Sequence, residues 1–357
     1  MNADFWCGKR VFLTGHTGFK GSWLSLWLQS LGSEVTGYAL TPPTFPSLYA
    51  VADVAQGMTS IIANILDLPK LQETMQAARP DIVIHMAAQA LVRQSYAQPV
   101  ETYATNVMGT VHVLESVRNT PSVKAVLVVT TDKCYENKEE MYRAYHEHEP
   151  LGGHDPYSSS KACAELVTAA YRKSFLEQQG IAVATARAGN VIGGGDWAAG
   201  RLVPDILKAF EQNAFVQIRN PNATRPWQHV LEPLSGYLLL AEHLFAQGPA
   251  YAEAWNFGPN EEDARPVKWL VDQLALTWGN GAAWLQDPDQ HPHEANYLKL
   301  DISKAKARLG WTPSWSLQTA IQNITQWHRA WLGQEDMKKL CLYQILQYSI
   351  AMQTKVT

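Results

Sequence analysis

The sequence predicts an α/β fold, a Rossmann-type doubly wound parallel sheet with a smaller mixed α/β lobe beside it. Three observations predict it. Short apolar runs recur along the first half and alternate with helical stretches. A glycine-rich turn stands between the first apolar run and the first helical stretch. After about residue 189 the rhythm becomes irregular and richer in Pro, Asn and Trp.

The elements follow in order. Lys9–Thr14 reads as a buried strand. Trp23, Leu24, Trp27, Leu28 and Leu31 then recur at spacings of three and four, the apolar face of a helix, and Gly32 stands at its stop. Glu34–Leu40 reads as the second strand of a βαβ unit. Asp81–His85, Ala125–Thr130 and Ile181–Ala186 are apolar runs of the kind that parallel strands buried on both faces require. Beyond them, strands at 215–219, 255–257 and 297–300 and helices at 204–213, 231–247, 267–278 and 316–332 read as the second lobe. Residues 1–189 are therefore expected to form the dinucleotide-type domain, with 227–246 returning to it. Residues 190–335 mainly form the lobe, and 336–357 a terminal helix under weak constraint.

Composition narrows the function. The chain has 357 residues, a net charge of −4 and 17% charged residues, which suits a globular protein and argues against nucleic acid or an anionic membrane as a general partner. The most apolar stretch, Gly236–Phe245, is interrupted by Glu242 and His243 and is too short to span a bilayer. Cys7, Cys134, Cys163 and Cys341 are scattered without a CxxC pair, and the start carries Asp4 without a basic region and apolar run; a reducing, cytoplasmic setting is expected.

The first strand runs into Gly15-x-x-Gly18-x-x-Gly21. Between a strand and a helix, three glycines allow a tight turn, close approach of a pyrophosphate and close helix packing, with N–H groups aimed at the phosphates. Gly15, Thr17, Gly18, Phe19, Lys20 and Gly21 are the expected cofactor cradle. The second strand ends Tyr38-Ala39-Leu40-Thr41, without the acidic residue that would hold the ribose and without an Arg for a 2′-phosphate. NAD is the expected cofactor, with its adenosine ribose held loosely. Asp67-Leu68 is a candidate for adenine contact, and equally a helix N-cap.

Tyr157-x-x-x-Lys161 opens a predicted helix, one turn apart on one face, after a strand that ends Thr130-Thr131-Asp132. Oxidising an alcohol needs a group that takes the hydroxyl proton as hydride leaves. Tyr157 can do so if Lys161 and a nicotinamide cation lower its pKa, and Thr131 can hold the substrate oxygen.

Together, the run TGHTGFKG from Thr14, His85-Met-Ala-Ala-Gln89, Asn106, Thr131, Tyr157xxxLys161 and Arg187xxAsn190 resemble the extended short-chain dehydrogenase/reductases that act on nucleotide sugars, in the family's order over about residues 5–332. The resemblance implies that Ala87, Ala88, Gln89 and Asn106 join the cofactor site. Residues after Thr131 separate the family's activities. Asp132 resembles the acid with which its 4,6-dehydratases protonate a leaving 6-hydroxyl, and Lys133 stands where they usually carry the Glu that removes the 5-proton. A neutral amine could do that work only if burial or a second cation depressed its pKa by several units. Lys133, Arg187–Trp197 and Arg225-Pro-Trp-Gln-His-Val230 resemble the members that act on CDP-glucose. The preference for cytosine rests on the resemblance alone. It also implies substrate contacts at Asn190, Arg201, Arg219, Arg225 and Tyr297, a homodimer through helices near 92–118 and 157–179, and a keto sugar bound for surface polysaccharide.

A 4-epimerase would use the same Tyr, Lys and Thr without Asp132. An NAD-sensing binding protein could dispense with Tyr157 and Lys161. The cluster His146, Glu147, His148, Glu149, His154 and Asp155 lacks a helical metal-binding frame and reads as a loop near the sugar, and His291 and His293 invite the same caution. Cys134 and Cys163 read as small buried thiols.

Overall fold

The computed structural model describes residues 2–140, 143–287 and 297–355; His291 and His293 lie outside them. Seven strands form one parallel sheet: β1 (Arg10–Thr14), β2 (Glu34–Ala39), β3 (Thr59–Ile62), β4 (Ile82–His85), β5 (Ala125–Val129), β6 (Ala182–Ala188) and β7 (Ala254–Phe257). Their spatial order is β7-β6-β5-β4-β1-β2-β3. Val11 of β1 stands opposite Val35 on one side and Ile82 on the other. All residues of β4, β5 and β6 are buried, the reason apolar residues dominate these strands.

Helices cover both faces. On one, α1 (Phe19–Ser30) buries Trp23, Leu24, Trp27 and Leu28 against the sheet. On the other, α2 (Leu68–Ala78) and α3 (Gly109–Arg118) bury Leu71, Met75, Val113, Leu114 and Val117. Each large apolar side chain removed from water contributes about 1.5–3 kcal/mol. The chain runs outward from β1 to β3 and then crosses back to β4. The reversal between β1 and β4 opens a crevice at the strands' C-terminal ends, where such sheets bind ligands.

α4 (Pro156–Tyr171) follows β5. α5 (Leu202–Glu211) and α7 (Val267–Trp278) build a second core with Ile206, Phe210, Leu270 and Leu274. α5 begins two residues before its expected start because Pro204 fits a first helical turn, where its missing N–H costs nothing. α6 (Leu231–Gln247) packs Leu234, Leu238 and Leu240 into the core of the main sheet.

Three expectations need correction. Residues 255–257, assigned to the lobe, form the edge strand β7 of the main sheet, paired with β6. Residues 297–300 are not a strand but two isolated bridges, Thr224 to Tyr297 and Tyr145 to Leu300. The terminal helix is not weakly constrained. In α9 (Met337–Thr354), which follows α8 (Leu317–Leu332), Met337, Cys341, Ile345 and Tyr348 are buried, and the Tyr348 hydroxyl donates to the buried Glu232 at 2.6 Å.

Candidate active site

The glycines of the first turn are fixed by contact. Gly15 has φ +80°, and a Cβ on it would stand 2.8 Å from the Ala87 nitrogen; one on Gly21 would stand 2.0 Å from the Gly15 carbonyl oxygen. No side chain fits at either place, so bare backbone N–H groups face the crevice at the start of α1. Thr14 ties the two edges of the crevice together: its hydroxyl accepts from the Met86 and Ala87 nitrogens at 3.1 Å and meets His85 Nδ1 at 2.7 Å.

The crevice continues into a cleft of about 1430 Å³. One drug-sized ligand commonly fills about 300–1,000 Å³, so there is room for two. Its walls include Gly15, Thr17, Gly18, Phe19, Lys20, Gly21, Ala87, Ala88, Gln89, Thr131, Asp132, Lys133, Tyr157, Lys161, Asn190, Arg201, Arg219 and Arg225.

Four expected residues stand elsewhere. Asp67 and Leu68 are not among the lining residues; the Asp67 carboxylate accepts from the Lys70 nitrogen and caps α2, while 63–66 line the cleft instead. Asn106 is buried behind the wall. It receives the Gln89 N–H at 2.8 Å and donates to the Gln89 carbonyl at 3.0 Å, fixing that loop from beneath. Tyr297 also lies off the lining, and its carbonyl accepts from Asn137 Nδ2 at 3.0 Å.

Asp155 caps the N-terminus of α4 by accepting from the Ser158 nitrogen at 2.9 Å and its hydroxyl at 2.6 Å. Asp-Pro-Tyr-Ser is a legible helix-capping pattern, so Asp155 belongs to the start of α4 rather than to the loop it was grouped with. His146 in that cluster faces Asp301 at 3.4 Å and stacks on His148. The cap starts the helix so that Tyr157 and Lys161 both face the cleft. Lys161 Nζ donates to the Val129 carbonyl at 3.0 Å. Thr131 stands beside the Tyr157 phenol and favours its ionised form. Thr131 donates to Asp132 Oδ1 at 3.0 Å, and Lys133 Nζ stands 3.7 Å from that oxygen. Hydroxyl, carboxylate and amine thus form one chain along the wall, with the phenol beside it.

Burial sets the electrostatics. It pushes the Tyr157 phenol up to about 12, only partly opposed by the neighbouring Thr131 hydroxyl and the Arg201 charge. The expected lowering also calls on the nicotinamide cation, so this burial is what the bound cofactor has to offset. Burial lowers Lys161 to about 8, and lowers Lys20 to about 7 with help from the Lys161 and Arg201 charges.

Two buried acceptors on the cleft wall, Asp132 Oδ2 and Asn190 Oδ1, have no hydrogen-bond partner among the described residues. Buried polar atoms are rarely left so, and acceptors turned to a cleft suit a ligand rich in hydroxyl donors. A Cβ on Gly189 would stand 3.1 Å from Asp132 Oδ2 and 2.7 Å from Pro226 Cγ, so the absent side chain leaves the carboxylate its place. Arg201 pairs with Asp196 at 2.9 Å. The sequence reading also missed the strap at 41–48, which lines the mouth of the cleft and carries the fully exposed Phe45.

A family model described as GDP-mannose 4,6 dehydratase matches residues 12–324. A CDP-glucose 4,6-dehydratase of Salmonella typhimurium is 54% identical, over 98% of this chain and 99% of its own. A dTDP-glucose 4,6-dehydratase of Streptomyces antibioticus is 28% identical, over 79% of this chain and 80% of its own. Among solved structures, a Thermotoga maritima UDP-glucose 4-epimerase with UDP-glucose has a TM-score of 0.79 at 22% identity, covering 90% of this chain and 99% of that one. A Streptomyces venezuelae dTDP-glucose 4,6-dehydratase with NAD has a TM-score of 0.78 at 23% identity, covering 92% and 99%. The fold is common to both activities.

Proposed function

The chain belongs to the GDP-mannose 4,6-dehydratase family, and from that premise we propose that it is an NAD-dependent CDP-glucose 4,6-dehydratase, a hydro-lyase that makes CDP-4-keto-6-deoxyglucose. The observation that carries the reaction class is that Tyr157 lines one cleft wall beside the linked Thr131, Asp132 and Lys133. An epimerase needs the first two and has no use for a buried carboxylate beside them. The glucose nucleotide follows the 54% identical relative.

The Gly15–Gly21 turn, Ala87–Gln89 and Lys161 hold the dinucleotide, and Asn106 acts from behind them. NAD when bound accepts hydride from sugar carbon 4 and returns it to carbon 6. Tyr157 takes the proton of the 4-hydroxyl, and Thr131 orients that oxygen. The resulting ketone acidifies the 5-proton, which Lys133 removes in its neutral form and returns to carbon 5 as hydride reaches carbon 6. Asp132 gives its proton to the departing 6-hydroxyl. Asp132 is almost wholly buried, which keeps water from competing for that proton, whereas Lys133 is one-third exposed and can exchange its own. Asn190 and Arg201 meet the sugar, and Arg219 and Arg225 the diphosphate, for which Arg provides paired donors. Exposed apolar side chains on the helical turns before α3 (Val100 and Met108), within α4 (Leu166) and just after it (Phe175) support pairing of two copies there. The enzyme works in the cytoplasm, and its product feeds deoxy-sugar assembly for the lipopolysaccharide O-antigen; this last placement rests on the family resemblance.

The test is a side-by-side assay with CDP-, dTDP-, UDP- and GDP-glucose, reading the alkali-induced absorbance of a 4-keto-6-deoxy sugar. Product from CDP-glucose well above the other three is expected. Preference for another nucleotide overturns the substrate, and a galactose nucleotide as sole product makes the chain a 4-epimerase.

A further inference from the structure

Behind the catalytic wall lies a buried ion pair to which that chemistry assigns no role. Glu165 sits on α4 one turn beyond Lys161, so Tyr157, Lys161 and Glu165 share one helix face. Arg187 is on β6. Arg187 Nε and Nη2 donate to the two Glu165 oxygens at 2.9 and 2.8 Å, with both side chains at most 4% exposed.

The pair's remaining contacts fall on either side of the Asp132–Lys133 segment. Thr130 donates to Glu165 Oε1 at 2.5 Å, and Thr185 to Oε2 at 2.7 Å. Arg187 Nη1 donates to the Tyr135 hydroxyl at 2.8 Å and to the Glu147 carbonyl at 2.9 Å, and its guanidinium lies 4.8 Å from the Tyr135 ring. Tyr135 in turn donates to Asn256 Oδ1 on β7 at 2.7 Å. Residues 131–134 are therefore gripped at their start through Glu165 and at their end through Arg187. The carboxylate that does the first is carried by the helix of Tyr157 and Lys161. A core that needed only stability would be served as well by apolar packing, since a buried pair gains little over it. Two-ended pinning of one loop to one helix is a matter of geometry.

We infer that the Glu165–Arg187 pair is a positioning device: it sets the distance between the loop that carries Asp132 and Lys133 and the helix that carries Tyr157 and Lys161, and so couples water loss to the oxidation before it. This rests on the dehydratase reading above. Neither residue touches substrate; both act through Thr130 and Tyr135.

The test compares wild-type holoenzyme with Tyr135→Phe, which removes one hydroxyl and leaves the ion pair intact, and with Arg187→Lys, which keeps charge but loses the fork. After rapid mixing with CDP-glucose, reduced-nicotinamide absorbance reports oxidation and the alkali-treated keto sugar reports elimination; melting temperature is read on the same samples. A displacement of about 1 Å can cost about 100-fold, so elimination should fall about 10- to 100-fold while oxidation changes less than about threefold, and reduced nicotinamide should accumulate. A merely structural pair would lower melting temperature and both steps by one common factor. That result in both variants overturns the inference, as does an unchanged ratio in Tyr135→Phe if Arg187→Lys does not fold. If the wild type yields neither signal, the dehydratase reading falls and takes this one with it; wild-type turnover with unchanged ratios removes this one alone.

Discussion

Glu232→Gln should make the protein less sensitive to pH, by an amount that the structure fixes. Glu232 lies on α6, 1% exposed, and burial pushes its carboxyl from the usual 4.5 up to about 7. It accepts from the Ser314 nitrogen at 2.9 Å, the Trp315 nitrogen at 2.6 Å and the Tyr348 hydroxyl at 2.6 Å, so it joins α6 to the turn before α8 and to the terminal helix. The folded state holds this proton more tightly than the unfolded chain. Its contribution is therefore complete below the unfolded value and is lost as pH rises through about 7. At about 1.36 kcal/mol per pH unit, roughly 2.5 kcal/mol disappears between about pH 5 and pH 8. A glutamine can accept from Ser314 and Trp315 through its oxygen and donate to Tyr348 through its nitrogen, without titrating. The variant should gain on the wild type by that amount over the interval, roughly 3 °C in melting temperature for a chain of this length. Parallel melts of both proteins at the two pH values measure it, because every other titrating group cancels in the difference. A gap that does not change with pH, or that narrows as pH rises, would refute the reasoning.

Asp132→Asn keeps the contact with Thr131 but cannot supply a proton. Product formation should fall about 100- to 10,000-fold, the usual worth of a general acid, while reduced nicotinamide still forms on mixing; a normal dehydration rate removes Asp132 from the mechanism. Lys133→Ala should slow exchange of the 5-proton with solvent deuterium, followed by NMR, and full exchange in this variant would relieve Lys133 of the base role. Lys20, lowered to about 7, is largely deprotonated above pH 8 and should recover a proton beside a pyrophosphate. Calorimetry of NAD binding near pH 8 in buffers of different ionisation enthalpy should show proton uptake, less in Lys20→Met, and an uptake unchanged in that variant would contradict the value.

What could be read from the sequence was what neighbouring residues decide. The glycine spacing, the apolar strands and helices at 231–247 and 267–278 are local patterns, and the structure has those two helices at the same bounds. The cradle glycines and the Tyr157 and Lys161 pair were legible because their chemistry demands fixed spacing. What failed was non-local. Residues 254–257 carry no mark of pairing with β6, some 70 positions earlier. The link between Tyr348 and Glu232 spans 116 positions, so the terminal helix could not show its anchor. Asp67 presented two readings with one local pattern, and only the position of the Lys70 nitrogen decides for the cap. How far burial raises the Tyr157 phenol was not legible, because spacing does not report burial.

The central claim is that oxidation, water loss and reduction act on one bound sugar in one pocket. CDP-glucose carrying deuterium at carbon 4, mixed with unlabelled CDP-glucose that carries carbon-13, tests it most directly by mass spectrometry and NMR of the product. Deuterium at carbon 6 of the molecules that began with it, and none in the carbon-13 population, is the predicted result. Deuterium still at carbon 4, or scrambled between the two populations, would contradict the account.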